Sequence, residues 1–157
     1  MSSKNIRFAA LIALAPLVAA TMLTSACAAT CTPDAVSLDR AISQTLGAVR
    51  GNDANALLDQ VSRSGVAFGA DGPTVSYKTL SSDFAGRTGR YCDLFSCNGQ
   101  DGPLHHLFEM GEIGKSLDAN HGLAGVTINA NTNDELDLSY KFTADCRWEL
   151  TGIGSVE

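Results

Sequence analysis

The chain has 157 residues and a net charge of −6, with 45% hydrophobic and 18% charged residues and five cysteines. That is enough chain for one domain with a real core. An acidic balance of this size excludes nucleic acid and anionic lipid as natural partners, because both would be repelled.

The chain opens with Lys4 and Arg7 and no acid, then an apolar stretch from Ala9 to Leu23 broken by Pro16. A charged start, a short apolar run and small residues after it make up a secretory signal. The run is too short and kinked for a membrane span, which needs about twenty apolar residues. Ala26-Cys27-Ala28 offers the small side chains that a signal peptidase accepts, so residues 1–28 read as a signal peptide and 29–157 as a single domain. The competing reading is lipidation of Cys27. Ser25 and Ala26 suit a lipobox, but Thr24 stands where leucine belongs, and Leu23 sits one place early. Either way the domain is expected outside the cytoplasm, in the periplasm or cell envelope, and membrane-bound only if Cys27 carries lipid. Loss of Lys4 and Arg7 deepens the net charge to −8.

Thr32-Pro33 offers a cap and a proline at the first helical position. Ala35, Leu38, Ile42, Leu46 and Val49 then recur at steps of three and four, which predicts an amphipathic helix ending at Gly51. Asn52 is the expected cap of a shorter helix carrying Ala54, Leu57, Leu58 and Val61. Residues 66–69 (VAFG) read as a brief strand and 70–73 as a turn. Ser76 caps a third helix, with Tyr77, Leu80 and Phe84 inward and Gly86 as its stop. RYCDLF (90–95) reads as a strand, NGQDGP (98–103) as exposed turns, and LHHLFEM (104–110) as a helical turn or two. The last third switches to a period of two. GVTINAN (125–131), LDLSYKF (136–142) and CRWELTGI (146–153) predict three antiparallel strands. The expected fold class is therefore α+β, with N-terminal helices packed on a curved antiparallel sheet formed mainly by the C-terminal third.

Without Cys27, four cysteines remain: Cys31, Cys92, Cys97 and Cys146. In an oxidising compartment four thiols form two disulfides. Three pairings are open. The reading favours Cys92 with Cys97, closing a tight loop, and Cys31 with Cys146, tying the start of the domain to a late strand. Cys92-x4-Cys97 followed by His105-His106 has the wrong spacing for zinc, and adjacent histidines point apart. No metal site is expected. Fully paired cysteines leave no thiolate nucleophile. Asn129-x-Asn131-x-Asn133 resembles a calcium loop but has Asp134 where glycine is needed and Tyr140 where glutamate is needed. There is no G-x-S-x-G elbow, H-E-x-x-H helix or phosphate loop. His121, in DANHG, reads as a loop residue.

The opening helix through Val49, the segment GNDANALLDQVSRSGVAFG (51–69) and the closing strand CRWELTGIGSV (146–156) resemble the cone-shaped NTF2-like superfamily, which includes SnoaL-type proteins. About half the chain carries the resemblance, and no diagnostic motif does. The stretch from Gly86 to Gly125 has no counterpart in it. The resemblance implies a pocket between the helices and the concave face of the sheet. Candidate proton-moving residues there would be Tyr77, Asp83, Tyr91, His106, Tyr140 and Trp148. Buried tyrosine and tryptophan are more often core, and Asp83 beside Ser82 suits a solvated face.

The functional expectation is an exported, non-catalytic envelope protein without a cofactor that binds a cationic protein or a small apolar ligand. The alternatives are a SnoaL-like isomerase or hydrolase using an Asp/His pocket, and a lipid-tethered structural component of the envelope.

Overall fold

The computed structural model describes residues 31–155, apart from 70, 71 and 110. Residues 1–28, expected to be a signal peptide, lie outside them, Cys27 included. Among the described residues, no helix is long and apolar enough to cross a membrane.

Helix α1 (Ala35–Arg50) starts at Asp34, not Thr32, because the Asp34 carboxylate accepts the Ser37 N–H at 2.8 Å. Its buried stripe is Leu38, Ala41, Ile42, Thr45, Leu46, Ala48 and Val49, whereas Ala35 is exposed. Helix α2 (Ala54–Gln60) is capped by Asp53 rather than Asn52. Asn52 takes a left-handed conformation instead, and its Oδ1 accepts the Ser96 N–H at 2.9 Å, pinning this turn to the loop after residue 95. The strands β1 (Val66–Phe68) and β2 (Thr74–Val75) are short. Helix α3 (Tyr77–Gly86) is capped by Ser76 and buries Leu80 and Phe84.

RYCDLF is not a strand. It forms helix α4 (Arg90–Leu94). The apolar residues that are buried, Tyr91, Leu94 and Phe95, fall at i, i+3 and i+4, which is a helical and not an alternating spacing. Tyr91 and Phe95 meet with ring centroids 5.0 Å apart, and Phe84 of α3 meets Phe95 edge-on at 5.4 Å. The α4 N-terminus is set by Gly89 at φ 52°, where a Cβ would come within 2.5 Å of the Asp83 carboxylate. That carboxylate accepts the Arg90 N–H at 3.1 Å. A 3-10 turn (His105–Phe108) follows, burying Leu107 and Phe108.

Strands β3 (Ile113–Asp118), β4 (Leu123–Ile128), β5 (Leu136–Phe142) and β6 (Trp148–Ser155) complete a six-stranded curved, open sheet in the order β2-β1-β6-β5-β4-β3. The fold is α+β, and the last third of the chain supplies most of the sheet. The sheet is mixed rather than wholly antiparallel, because β1 runs parallel to β6, with Ala67 opposite Gly152 and Phe68 opposite Ile153. β3 was not among the expected strands. It is an edge strand with all six residues exposed, so its alternation has no burial contrast to reveal it.

α1 packs across β6 and against α2. Leu38, Ile42, Leu46 and Val49 meet Val126, Ile128, Leu136, Leu138, Leu150 and Ile153 in one apolar core. Burying each such side chain contributes about 1.5–3 kcal/mol. Disulfides join Cys31 to Cys146 and Cys92 to Cys97, across 115 and 5 residues of chain.

Candidate functional site

One end of the sheet is shut. The Trp148 indole donates to the Ser37 hydroxyl at 3.1 Å and meets Phe142 edge-on, with centroids 5.2 Å apart. Gly122, at φ 62°, turns tightly beneath Phe142, close to Pro33, and the Cys31–Cys146 bond lies at the same end.

The other end is open. A groove of about 720 Å³ lies between β1, the end of β6, α4, the 3-10 turn and the β4–β5 turn. Phe68, Leu104, Leu107 and Ile153 give it an apolar floor. Arg90, Asp93, His106 and Asp134 stand at its rim. Arg90 is already committed, since its guanidinium reaches Asp93 at 2.7 Å and lies 4.5 Å over the Phe68 ring. On the facing side, His106 Nε2 lies 3.8 Å from the Asp134 carboxylate. Their side chains are 60% and 67% exposed, so water screens this pair. Ser155 marks the groove's far end.

A wider depression of about 900 Å³ covers the outer face of the sheet. It is the larger of the two, but its lining is mostly Gly, Ser and Thr, and its acid, Asp137, already accepts the Thr127 hydroxyl at 2.6 Å. The groove at the open end is taken as the candidate, because four charged or titratable side chains, Arg90, Asp93, His106 and Asp134, gather around Phe68, Leu104 and Leu107.

The residues singled out from the sequence are dispersed. Only His106 lines the groove. Tyr77 is half-buried on the surface of α3 beneath the Arg63 guanidinium, 4.0 Å from its ring. Asp83 is half-buried rather than on a solvated face, and its carboxylate accepts the Arg90 N–H at the start of α4. Tyr91 belongs to the aromatic cluster with Phe84 and Phe95. Trp148 is core, with its N–H satisfied by Ser37. Tyr140 is buried under α1 beside Thr45, and neither hydroxyl completes a hydrogen bond. Burial pushes the Tyr140 phenol well above its usual range. The interior between α1 and the sheet is thus filled by side chains.

His105 and His106 point apart. His105 is buried, and its Nδ1 donates to the Leu94 carbonyl at 2.9 Å, stitching the 3-10 turn to α4. His121 accompanies Asp118 at 2.7 Å, and that contact lowers the Asp118 carboxyl below its usual range. The Asn129–Glu135 loop is a self-bonded turn. Thr132 Oγ1 donates to the Asn129 carbonyl at 2.7 Å, and the Asn131 N–H meets the Glu135 carboxylate. Arg90 and Asp93 were not among the residues singled out from the sequence, and Asp134 was considered only as part of a calcium-like loop. Arg90 and Asp93 stand at i and i+3, a pairing visible only once residues 90–94 are read as a helix.

No family model matches the chain, and no curated protein does. Several solved structures are similar to it. A ketosteroid isomerase-like protein from Shewanella frigidimarina NCIMB 400 aligns at 10% identity with a TM-score of 0.45, over 76% of this chain and 94% of its own. An NTF2-like protein of unknown function from Shewanella oneidensis MR-1 aligns at 14% and 0.42, over 78% and 98%. An NTF2-like protein from Cytophaga hutchinsonii ATCC 33406 aligns at 14% and 0.42, over 77% and 96%. The likeness is to NTF2-like proteins, at identities that say nothing of activity.

Proposed function

We propose that this chain is an exported, non-catalytic binding protein whose ligand occupies the groove at the open end of the sheet. The observation that carries the reading is the contrast between a filled interior and an apolar-floored groove with a charged rim. Binding sites combine apolar walls with a few convergent polar groups, and the groove has that composition. The two disulfides support an oxidising compartment.

The test uses the neutral, apolar fluorophore Nile red. Its emission rises on binding the protein. Leu104→Glu, which places a charge on the groove floor, abolishes the rise, whereas Ser139→Lys on the outer sheet face leaves it intact. A signal that ignores Leu104→Glu would move the binding site elsewhere.

The His106–Asp134 pair supports a second reading, a small isomerase or hydrolase with an acid–base pair. General acid–base work depends on a held geometry, and both side chains here are mostly exposed. Proton exchange at the α-carbon of small ketones in deuterated water, lost in His106→Ala, would favour that reading. Whether the protein is free or tethered is read from its intact mass. A chain starting at Ala29 with two disulfides is the exported soluble form. A chain starting at acylated Cys27 is the lipid-tethered envelope component, and its partner is then sought on the membrane.

A further inference from the structure

We propose that Asn98 is a site of spontaneous covalent modification, where the folded chain converts asparagine to aspartate and isoaspartate through a succinimide. The proposal stands apart from the groove. It rests on two neighbouring dipeptides of related chemistry that the fold treats in opposite ways.

The first is Asn98-Gly99, the one place in the sequence where asparagine precedes glycine. With no side chain, glycine leaves its amide nitrogen open to approach. The pair forms the centre of a tight turn after α4. The Cys97 N–H donates to the Gln100 carbonyl at 2.7 Å, and the Gln100 N–H to the Cys97 carbonyl at 3.1 Å. Both closing bonds belong to Cys97 and Gln100, so the central amides take no part in them. Both central residues are left-handed, with φ 56° at Asn98 and 79° at Gly99, as a two-residue hairpin loop requires. Both are exposed, and a Cβ placed on Gly99 would meet nothing within 4 Å.

The second is Asp101-Gly102, which can form the same ring by losing water. Here Gly102 is buried, its N–H donates to the Phe95 carbonyl at 3.2 Å, and a Cβ on it would strike the Asp93 carbonyl. The Asp101 carboxylate is itself held by the Ser96 hydroxyl. Attacking nitrogen and attacked carbon are therefore both tied at 101–102, whereas 98–99 stands in the open.

The reaction needs water alone. The Gly99 nitrogen bonds to Asn98 Cγ and gives up its proton, and ammonia leaves. Water then opens the ring. Cleavage at Cγ leaves aspartate on the normal backbone. Cleavage at the backbone carbonyl leaves isoaspartate, with an extra methylene in the main chain. Ring closure requires rotation about the Asn98 Cα–C bond, which breaks the two Cys97–Gln100 bonds. Hydrogen bonds at an exposed loop tip contribute little net, and such segments open at small cost. Either product adds a negative charge to a chain already at −6, and isoaspartate lengthens the loop beside the Cys92–Cys97 disulfide.

The experiment ages the disulfide-intact protein in mildly alkaline buffer at body temperature, beside a reduced sample unfolded in guanidinium. Fragment-ion mass spectrometry then locates aspartate and isoaspartate in the tryptic peptide 91–115, which holds both dipeptides. Asn98 is expected to convert in the native chain at a rate within about tenfold of the unfolded one. Isoaspartate at residue 101 should build up in the unfolded chain alone. Methyl transfer from S-adenosylmethionine by an isoaspartyl methyltransferase counts the isoaspartate. Asn98→Gln, whose amide lies a carbon too far for ready ring closure, should remove that signal from aged native protein. The map is made on the wild-type chain, so it decides the point whether or not the variant folds. Conversion of Asn98 confined to the unfolded chain overturns the proposal, as does an undiminished methyl signal in folded Asn98→Gln. Equal modification at 98 and 101 in the native chain overturns it too, because the fold would then not distinguish them.

Discussion

The two ends of the sheet are built from the same strands and could hardly differ more. At the end holding Trp148, Phe142 and Pro33, the two aromatic rings meet edge-on and a disulfide spans 115 residues. At the other, strands stop out of step, and a short helix, a 3-10 turn and a β-turn surround empty volume. The long-range disulfide from Cys31 to Cys146 lies at one end, and the groove at the other. The second disulfide, Cys92–Cys97, follows the same division. It joins the middle of α4, beside the groove, to the turn that follows the helix, and constrains local shape more than the whole chain.

The largest effects that would sharpen this contrast come from the disulfides. On the chain-entropy account, replacing Cys31 and Cys146 by serine should cost about 5 kcal/mol and replacing Cys92 and Cys97 about 2 kcal/mol. Urea unfolding of the two double variants measures both, and equal losses would break the contrast. Leu150→Ala, in the strand under α1, empties a fully buried position and should cost about 3 kcal/mol in the same assay. Tyr140→Phe removes a buried hydroxyl that has no hydrogen bond and should leave stability unchanged or raise it by about 1 kcal/mol. A clear loss there would mean that the hydroxyl is satisfied by an internal water. At the open end, His106→Ala and Asp134→Asn should shift the midpoint by less than about 0.5 kcal/mol.

The smallest effect is electrostatic. The Ser37 N–H holds the Asp34 carboxyl below the usual carboxylate range. A depressed acid stabilises the fold above its unfolded pKa and loses that contribution as pH falls through the folded one. Thermal midpoints measured from pH 5 downward should therefore fall below about pH 4 less steeply in Asp34→Asn, which keeps a cap without a titrating charge.

How much of this was legible depended on whether burial leaves a period in the sequence. α1 and β5 showed clearly, because each buries one face against the same core. LDLSYKF alternates residue by residue, and β5 spans those seven residues. β3 was invisible because nothing covers either face of IGKSLD. Residues 90–95 were misread because five residues are too few to distinguish i+4 from alternation, and the deciding partner, Phe84, lies elsewhere in sequence. The groove was the least legible part. Its residues come from five separate segments, and none of them carries a motif. Their significance arises from where β1 stops, a property of chain length between turns.

The position of β6 has a kinetic consequence. This last strand lies between β1 and β5, with a further bridge from Val61 to Leu150 and the Ser62 N–H on the Leu150 carbonyl at 2.9 Å. A chain made or threaded N-terminus first therefore carries two unjoined half-sheets until Trp148–Ser155 emerge, and Cys31 waits almost as long for Cys146. Such high contact order implies slow, late, all-at-once closure. A chain cut before Trp148 should not fold in part but remain open, an accessible substrate for proteases and holding chaperones.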